Sequence, residues 1–197
     1  MGLIELKPGP DDAALVASLV NRAGKGVISY LLDGIAPGFS GEELLAATMR
    51  DESLYGPDCT LLLQREGRPA GLLIAYPAEL HVVHPTMNIF VSSAKIRNVR
   101  PMLEAAEPDS LHINTFWVDE TSGGEAADLL LRRALEQASA LGRETIGVFC
   151  RQSEPGERQF FEAAGFRPRT MFAPEEFRPG GAPEGGCLLV KELGAVP

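Results

Sequence analysis

The sequence has few cysteines and lacks a long apolar run. Its 197 residues include three cysteines, Cys59, Cys150 and Cys187, and none of them forms the Cys-x-x-Cys spacing of a metal or redox motif. We therefore expect neither a disulfide framework nor a structural zinc site. Because no apolar run approaches the roughly 20 residues that a membrane-spanning helix needs, we also expect no membrane partner.

Positive charge is scarce as well. The chain has 18 Lys and Arg residues against 27 Asp and Glu residues, which gives a formal net charge of −9. Nucleic-acid binding needs a positive surface, so this balance argues against a nucleic-acid partner. A cationic or amine-bearing ligand is compatible with the acidic field. The first residues lack a charged-then-apolar leader, and together with the cysteine pattern this predicts a cytoplasmic protein.

Several common catalytic motifs are missing from the sequence. It has no Ser nucleophile elbow, no Walker loop and no dinucleotide fingerprint. His81 and His84 have the spacing of two metal ligands, but no third ligand is fixed near them and Pro85 follows directly. We expect a surface or substrate-cleft loop there and no metal site.

Residues 108 to 166 carry the clearest pattern in the chain. An apolar strand is predicted over Leu111–Val118, followed by a glycine-bearing turn, an amphipathic helix, a second strand and the segment Phe161–Phe166. The turn, residues 119–127, opens directly into the helix. The first N–H groups of a helix have no internal partners and lie at the positive end of its dipole. The turn therefore predicts a binding site for an anion such as a diphosphate.

The other segments predict strands and helices of a single domain, residues 1–197, with parts at 1–107, 108–166 and 167–197. Gly24–Gly38 and Pro77–Ala94 show no readable pattern. The sum is a mixed β/α layer fold. The remaining predictions are strands at Leu3–Leu6, Thr60–Gln64, Gly71–Tyr76, Thr145–Cys150, Arg169–Phe172 and Cys187–Leu193, and helices that begin at Pro10 and after Ser40 and that span Arg97–Ala106, Asp128–Leu141 and Gly156–Ala164.

Three short segments resemble the GNAT superfamily, the GCN5-related N-acetyltransferases. They are the hairpin end Leu73–Pro77, the strand Ser110–Asn114 leading to Trp117 and Val118, and Phe161–Phe166, which is similar to the family's Tyr-Glu-x-x-Gly-Phe signature. The resemblance implies an α/β (α+β) fold: a mixed, mostly antiparallel sheet of about six to seven strands flanked by helices, with a splayed parallel strand pair at the acyl-CoA cleft. It also implies acetyl-CoA as donor, a primary amine as acceptor and direct transfer in a ternary complex.

The resemblance places the pyrophosphate of CoA at the turn, where two alignments remain open. The family pattern is Arg or Gln, two residues, Gly, one residue, then Gly or Ala. One alignment starts at Thr121 in a shortened loop, and the other starts at Ser122 and puts Glu125 where glycine is expected. Neither supplies an Arg or Gln, so backbone amides would carry the contact. The implied contacts in the turn are Thr121, Ser122, Gly123, Gly124, Glu125 and Ala126.

The resemblance also implies cofactor contacts outside the turn. The main chain of Phe116, Trp117 and Val118 would lie beside the acyl-CoA arm by strand-like pairing. Phe161 stands where many members have a tyrosine whose hydroxyl protonates the departing thiolate, and phenylalanine cannot donate a proton. Because a thiol has a pKa of roughly 8.5, the thiolate can also leave unprotonated.

His112 and Tyr30 are the candidate acid–base groups. His112 lies where some family members keep a glutamate that accepts the amine's proton through water, and histidine has a suitable pKa for that step. The alternative is a strand histidine that is hydrogen-bonded to a neighbour. Tyr30 or Tyr55 could replace the missing acid, or could pack at the rim of an acceptor pocket.

Two functions remain open from the sequence. The first is an acetyl-CoA-dependent N-acetyltransferase that acts on a small-molecule amine. The second is a catalytically weakened or inactive relative that binds a CoA-like ligand or a protein partner, which Glu125, Phe161 and the missing Arg or Gln favour. The terminal strands could pair in a homodimer.

Overall fold

The structure, a computed structural model, describes residues 2–50, 56, 58–83 and 85–194, apart from the side chain of Arg50. Tyr55 and His84 lie outside the described residues. The strands are β1 Ile4–Leu6, β2 Thr60–Arg65, β3 Arg68–Pro77, β4 Leu111–Val118, β5 Thr145–Arg151, β6 Arg167–Phe172 and β7 Gly186–Glu192. The helices are α1 Ala13–Ala23, α2 Val27–Leu32, α3 Gly41–Arg50, α4 Met87–Phe90, α5 Ser93–Glu104, α6 Gly123–Ala140 and α7 Pro155–Ala163, and 3-10 turns occur at Pro10–Asp12, Ala78–Leu80 and Pro179–Gly181.

The strands form one seven-stranded mixed sheet in the order β1-β2-β3-β4-β5-β7-β6. β2 pairs antiparallel with β1 and β3, and β7 pairs antiparallel with β5 and β6. β4 and β5 run parallel, with a ladder from Leu111 opposite Ile146 to Ile113 opposite Val148. This arrangement confirms the predicted mixed sheet with one parallel pair flanked by helices.

The chain divides into two compact units. The first comprises Met1–Tyr76 and Asn114–Glu136, and the second comprises Pro77–Ile113 and Gln137–Pro197. In the first unit, apolar faces of α1 and α3 pack with β2 and β3, and Trp117 lies against the same core. The amphipathic spacing of α1 predicts this packing, because residues three and four apart share one face of a helix. The fully or largely buried members include Val16, Ala17, Leu19, Leu45, Met49, Leu62, Leu72 and Ile74.

The hairpin of β2 and β3 has a tight two-residue turn. Glu66 and Gly67 form the turn and both have positive φ, 53° and 75°. Turns of that handedness match the twist of the flanking strands, and glycine adopts them without strain. Arg65 pairs with Arg68 across the turn, so Arg65 is the last residue of its strand.

Gly71 in β3 allows α6 to pack closely on the sheet of the first unit. A Cβ built at Gly71 would lie 3.0 Å from Leu130 Cδ1 and 3.3 Å from the Trp117 carbonyl oxygen. The missing side chain therefore leaves the room that α6 and the end of β4 occupy. This packing fixes the strand and the helix on either side of the glycine-bearing turn.

The sequence does not predict α2, and it predicts later starts for α5 and α6 than those observed. α2 lies in a stretch without a readable pattern, where the Asn21 side chain accepts a hydrogen bond from Ser29 N at 3.1 Å. α5 begins four residues before the predicted Arg97, because Ser92 accepts a hydrogen bond from Lys95 N at 3.3 Å and caps the helix. α6 begins at Gly123 and not at Asp128. In each case a local cap or turn outweighs the apolar spacing.

Two kinds of feature are absent from the described residues. No helix there combines the length and the apolar composition that crossing a bilayer requires. No group of three or more His, Cys, Asp and Glu side chains in the same residues is arranged to hold a metal ion.

Candidate functional site

The turn between β4 and α6 is fixed by backbone and side-chain hydrogen bonds in the first unit. Asp119 N donates to the Ala70 carbonyl oxygen at 3.0 Å, which ties the start of the turn to β3. Ser122 N donates to the Asp119 carbonyl oxygen at 2.9 Å, and Thr121 N donates to Asp119 Oδ2 at 3.1 Å. The Thr121 hydroxyl donates to the same carboxylate. These hydrogen bonds within the protein fix the shape of the turn.

Asp119 is a charged member of this turn. The hydrogen bond from the Thr121 hydroxyl, and then that from the Thr121 backbone N–H, hold the pKa of Asp119 below its ordinary value. Its carboxylate is therefore ionised at neutral pH, and Thr121 directs both donors at it. The sequence expectation that Thr121 contacts the cofactor stays a prediction.

The first turn of α6 presents glycine backbone to open space. Gly123 has a φ of 62°, which glycine adopts readily, and a Cβ built on Gly124 would meet no atom within 4 Å. Ser122 and Ala126 are buried on either side of them. Because the first N–H groups of a helix have no partner inside it, this turn offers amide donors where a ligand can approach closely. Both sequence alignments place a residue of this turn at the pyrophosphate.

Glu125 has a partner that sequence reasoning missed. The guanidinium of Arg65, at the end of β2, donates a hydrogen bond to the Glu125 carboxylate. The two residues are 60 positions apart, so only the register of the hairpin against α6 brings them together. The negative charge that the sequence places in this turn is therefore matched by a positive one.

The end of β4 is only partly covered. Phe116, Trp117 and Val118 are half-buried, and the Arg22 guanidinium lies 5.7 Å from the centre of the Trp117 ring. That distance and the large ring are typical of a cation–π contact. Their predicted role beside the acyl-CoA arm depends on their main chain and stays a prediction.

His112 lies in the second unit, stacked on His81. The ring centres are 3.8 Å apart with an interplanar angle of 28°, and the two side chains are 1% and 5% exposed. His81 Nε2 donates to the Met102 carbonyl oxygen at 3.1 Å. Burial lowers the pKa of His81 to about 4, and burial followed by the neighbouring His81 lowers the pKa of His112 well below its ordinary value. Both rings are therefore neutral at neutral pH.

Phe161 closes the last turn of α7 in the second unit. Phe166 N donates to the Phe161 carbonyl oxygen at 3.0 Å, Gly165 N donates to the Glu162 carbonyl oxygen at 3.1 Å, and Gly165 has a φ of 95°. This is a Schellman cap, and its usual apolar contact is present because the rings of Phe161 and Phe166 lie 5.1 Å apart. Phe161 is fully buried. Its predicted contact with a cofactor stays a prediction.

Tyr30 and an open cavity lie among the first helices. Tyr30 is half-buried in α2. A cavity of about 680 Å³ is lined by Phe39, Leu44, Glu42 and Glu43 together with small residues of α1 and α3. Glu42 accepts a hydrogen bond from Asn21 Nδ2 at 2.7 Å, and hydrogen bonds from the Ser40 N–H and hydroxyl lower the pKa of Glu43. The cavity thus combines an aromatic ring with two carboxylates.

The predicted site residues divide between the two units. The first unit contains Tyr30, Phe116–Val118 and Thr121–Ala126, and the second contains His112 and Phe161. The turn and the end of β4 are brought together, because they are consecutive in the chain and joined to β3 by the hydrogen bond of Asp119.

Solved structures of acetyltransferases are similar to this chain over nearly its whole length. An N-acetyltransferase from Staphylococcus aureus Mu50 matches with a TM-score of 0.69 and 16% identity, over 95% of this chain and 100% of that one. An acetyltransferase of the GNAT family from Streptococcus pneumoniae matches with a TM-score of 0.57 and 17% identity, over 98% and 100%. A protein described as an acetyltransferase from Salmonella typhimurium, with its cofactor acetyl-CoA, matches with a TM-score of 0.61 and 12% identity, over 98% and 95%. No family model and no curated protein sequence matches.

Proposed function

Because the chain has the fold of GNAT acetyltransferases, we propose that it is an acetyl-CoA-dependent N-acetyltransferase that acetylates a primary amine of a small molecule. The transfer is direct, in a ternary complex of protein, acetyl-CoA and amine. The observation that carries this proposal is the hydrogen-bonded turn at the start of α6, where Gly124 faces open space. A diphosphate fits such a turn, because the helix N-terminus supplies amide donors and a favourable dipole.

In this proposal the main chain does most of the binding. The N–H groups of Gly123, Gly124, Glu125 and Ala126 hold the diphosphate, and the end of β4 lies beside the pantetheine arm. Acetyl-CoA supplies the activated acetyl thioester. The neutral amine nitrogen forms a bond to the acetyl carbon, the carbon–sulfur bond breaks, the thiolate leaves, and the nitrogen gives up one proton to water. A thiol pKa of roughly 8.5 makes that thiolate an acceptable leaving group without an acid at Phe161.

The proton of the incoming ammonium has no strong acceptor among the predicted residues. His112 is 1% exposed and its pKa is lowered by burial, so it accepts a proton poorly. These properties favour a structural role beside His81. The base role of His112 and the acid role of Tyr30 stay predictions. His112→Gln and Tyr30→Phe test them, since loss of a proton-transfer group lowers kcat by about 100-fold or more while KM changes little.

We assign the amine to the cavity beside α3. Two carboxylates and the Phe39 ring line it, and this combination suits a cationic amine with an apolar body. A net charge of −9 favours the approach of such a cation from a cytoplasmic pool and disfavours nucleic acid. A homodimer through the exposed edge strand β6 is part of the same proposal.

Calorimetric titration with acetyl-CoA tests the cofactor site. We expect wild-type protein to bind and Gly124→Glu to lose most of the binding, because its side chain and charge enter the space that the diphosphate needs. Gly124→Gln is the control for size without charge, and both variants should fold because a Cβ at Gly124 meets no atom within 4 Å. Binding by Gly124→Glu equal to that of the wild type contradicts the proposed site.

The inactive relative makes a different prediction in a second assay. An enzyme releases free thiol from acetyl-CoA when an amine is added, and a binding module does not. A panel of small amines, followed by thiol detection, separates the two functions after binding has been measured. Wild-type protein that does not bind acetyl-CoA at all contradicts the enzyme and leaves the relative that binds another ligand or a protein partner.

A further inference from the structure

A positive charge reaches the first turn of α6 from a distant part of the sequence. Arg65 ends β2, and its guanidinium is hydrogen-bonded to Glu125, one residue after Gly124. The Arg65 side chain is 30% exposed and that of Glu125 is 67% exposed. The Arg65 side chain is thus largely covered by the protein. The Glu125 carboxylate extends from the helix into solvent and is restrained by Arg65.

We propose that Arg65 is a positioning residue for acetyl-CoA: it neutralises Glu125 and holds that carboxylate away from the diphosphate. The inference rests on the proposed function, because it concerns the same turn. It explains how a turn without its own Arg, Lys or Gln can hold a doubly charged group.

The physical reason is the short distance between Glu125 and the proposed anion. Glu125 follows Gly124 directly, so its carboxylate acts within the Debye length of about 8 Å at physiological salt, where screening is incomplete. A lone carboxylate there repels the diphosphate, whereas the pair formed by a carboxylate and a guanidinium has no net charge. An ion pair whose carboxylate is this exposed adds little to stability. Removing Arg65 should therefore affect binding much more than folding.

A double-mutant cycle with acetyl-CoA titration tests the role of Arg65. We expect Arg65→Ala to bind about tenfold more weakly than the wild type, because Glu125 is then uncompensated. Glu125→Gln should bind at least as tightly as the wild type. The double variant should return to within about twofold of the wild type, because the summed charge of positions 65 and 125 is again zero, as in the wild type.

Two further variants separate this role from general loss of charge or fold. Arg65→Lys keeps the positive charge and should recover most of the affinity. Arg133→Ala is the matched control, since Arg133 lies in α6, the helix of Glu125, and pairs with Glu5 and Glu136. It should leave acetyl-CoA affinity unchanged. The defect of Arg65→Ala should shrink at 0.5 M salt, at which the Debye length falls to roughly 4 Å, and thermal unfolding checks that each variant is folded.

The outcomes distinguish this inference from the proposed function. Wild-type protein that fails to bind acetyl-CoA overturns the proposed function and, with it, the inference. Wild-type binding with an unchanged Arg65→Ala variant overturns only the inference. A double variant that stays as weak as Arg65→Ala also overturns it, because Arg65 would then act on the ligand without Glu125.

Discussion

Gly165 shows how a single residue decides the end of a helix. Its φ of 95° lies in the left-handed region, and its N–H and that of Phe166 close the last turn of α7. Gly165→Ala should lower the free energy of unfolding by about 1–2 kcal/mol, because a Cβ is strained in this conformation. Urea unfolding followed by circular dichroism measures the change.

Gly156 provides the matched control within the same helix. It lies in the first turn of α7 without a positive φ, and a Cβ there meets no atom within 4 Å. Gly156→Ala should therefore raise stability by a few tenths of a kcal/mol, up to about 1 kcal/mol, through the better helix propensity of alanine. Equal and small changes in the two variants would contradict the strained cap.

At the scale of single residues, the sequence indicates that Gly165 caps α7 but not which side chain packs against Phe161. A glycine after an amphipathic run indicates a helix end, and Gly142 and Gly165 both have positive φ there. The five-residue spacing from Phe161 to Phe166 is the same in a catalytic signature and in a Schellman cap. Only the ring contact and the burial of Phe161 show that it packs at the cap.

The packing of α6 on β3 depends on a strand residue without a side chain. Gly71→Ala should lower the free energy of unfolding by about 1–3 kcal/mol, because its Cβ would press on Leu130 and on the Trp117 carbonyl. Gly147→Ala in β5 is the control, since its nearest contact would be an ordinary 3.6 Å. Thermal unfolding compares the two, and a larger loss for Gly147→Ala would contradict the close approach of α6 to β3.

Elements were predictable where one local signal was strong. β4 is predictable with its observed bounds, because a run rich in β-branched and aromatic residues precedes a turn. The start of α6 was missed since two glycines mask the helical pattern, although the fold holds them in its first turn. The pair of Arg65 and Glu125 was missed for another reason: it depends on the hairpin register, which no sequence spacing contains.

Two buried histidines were the least predictable feature of the whole molecule. His81 lies within a stretch without a helix or strand period, and His112 lies 31 positions later within β4. The sequence predicts a surface or substrate-cleft loop at His81, which is wrong because His81 is buried. It offers His112 as a base or as a hydrogen-bonded strand histidine. Their stacking arises because Ala78 N donates to the Ser110 carbonyl oxygen at 2.9 Å, which joins the segment before His81 to the start of β4.

This pair predicts that the protein loses stability in mild acid. In the unfolded chain a histidine has a pKa of about 6.5, whereas burial lowers the pKa of His81 to about 4 in the fold. Between those values the unfolded state binds more protons, so stability falls as the pH falls through this window. Protonation of His81 alone lowers the free energy of unfolding by about 3 kcal/mol once the pH is below 4. His112 acts in the same direction.

His81→Gln removes the contribution of His81 to this acid-induced loss of stability. It keeps a side-chain N–H that can donate to the Met102 carbonyl. Glu79 lies close in sequence, but its own backbone N–H and Arg143 hold its pKa below the ordinary value, so it titrates lower in the range. Urea unfolding from pH 7.5 to 4.5 should show a steep loss for the wild type and a shallower one for His81→Gln. Parallel curves for the two proteins would mean that protonation of His81 does not limit stability, since an acid-induced loss shared by both must then arise from His112 or from carboxylates.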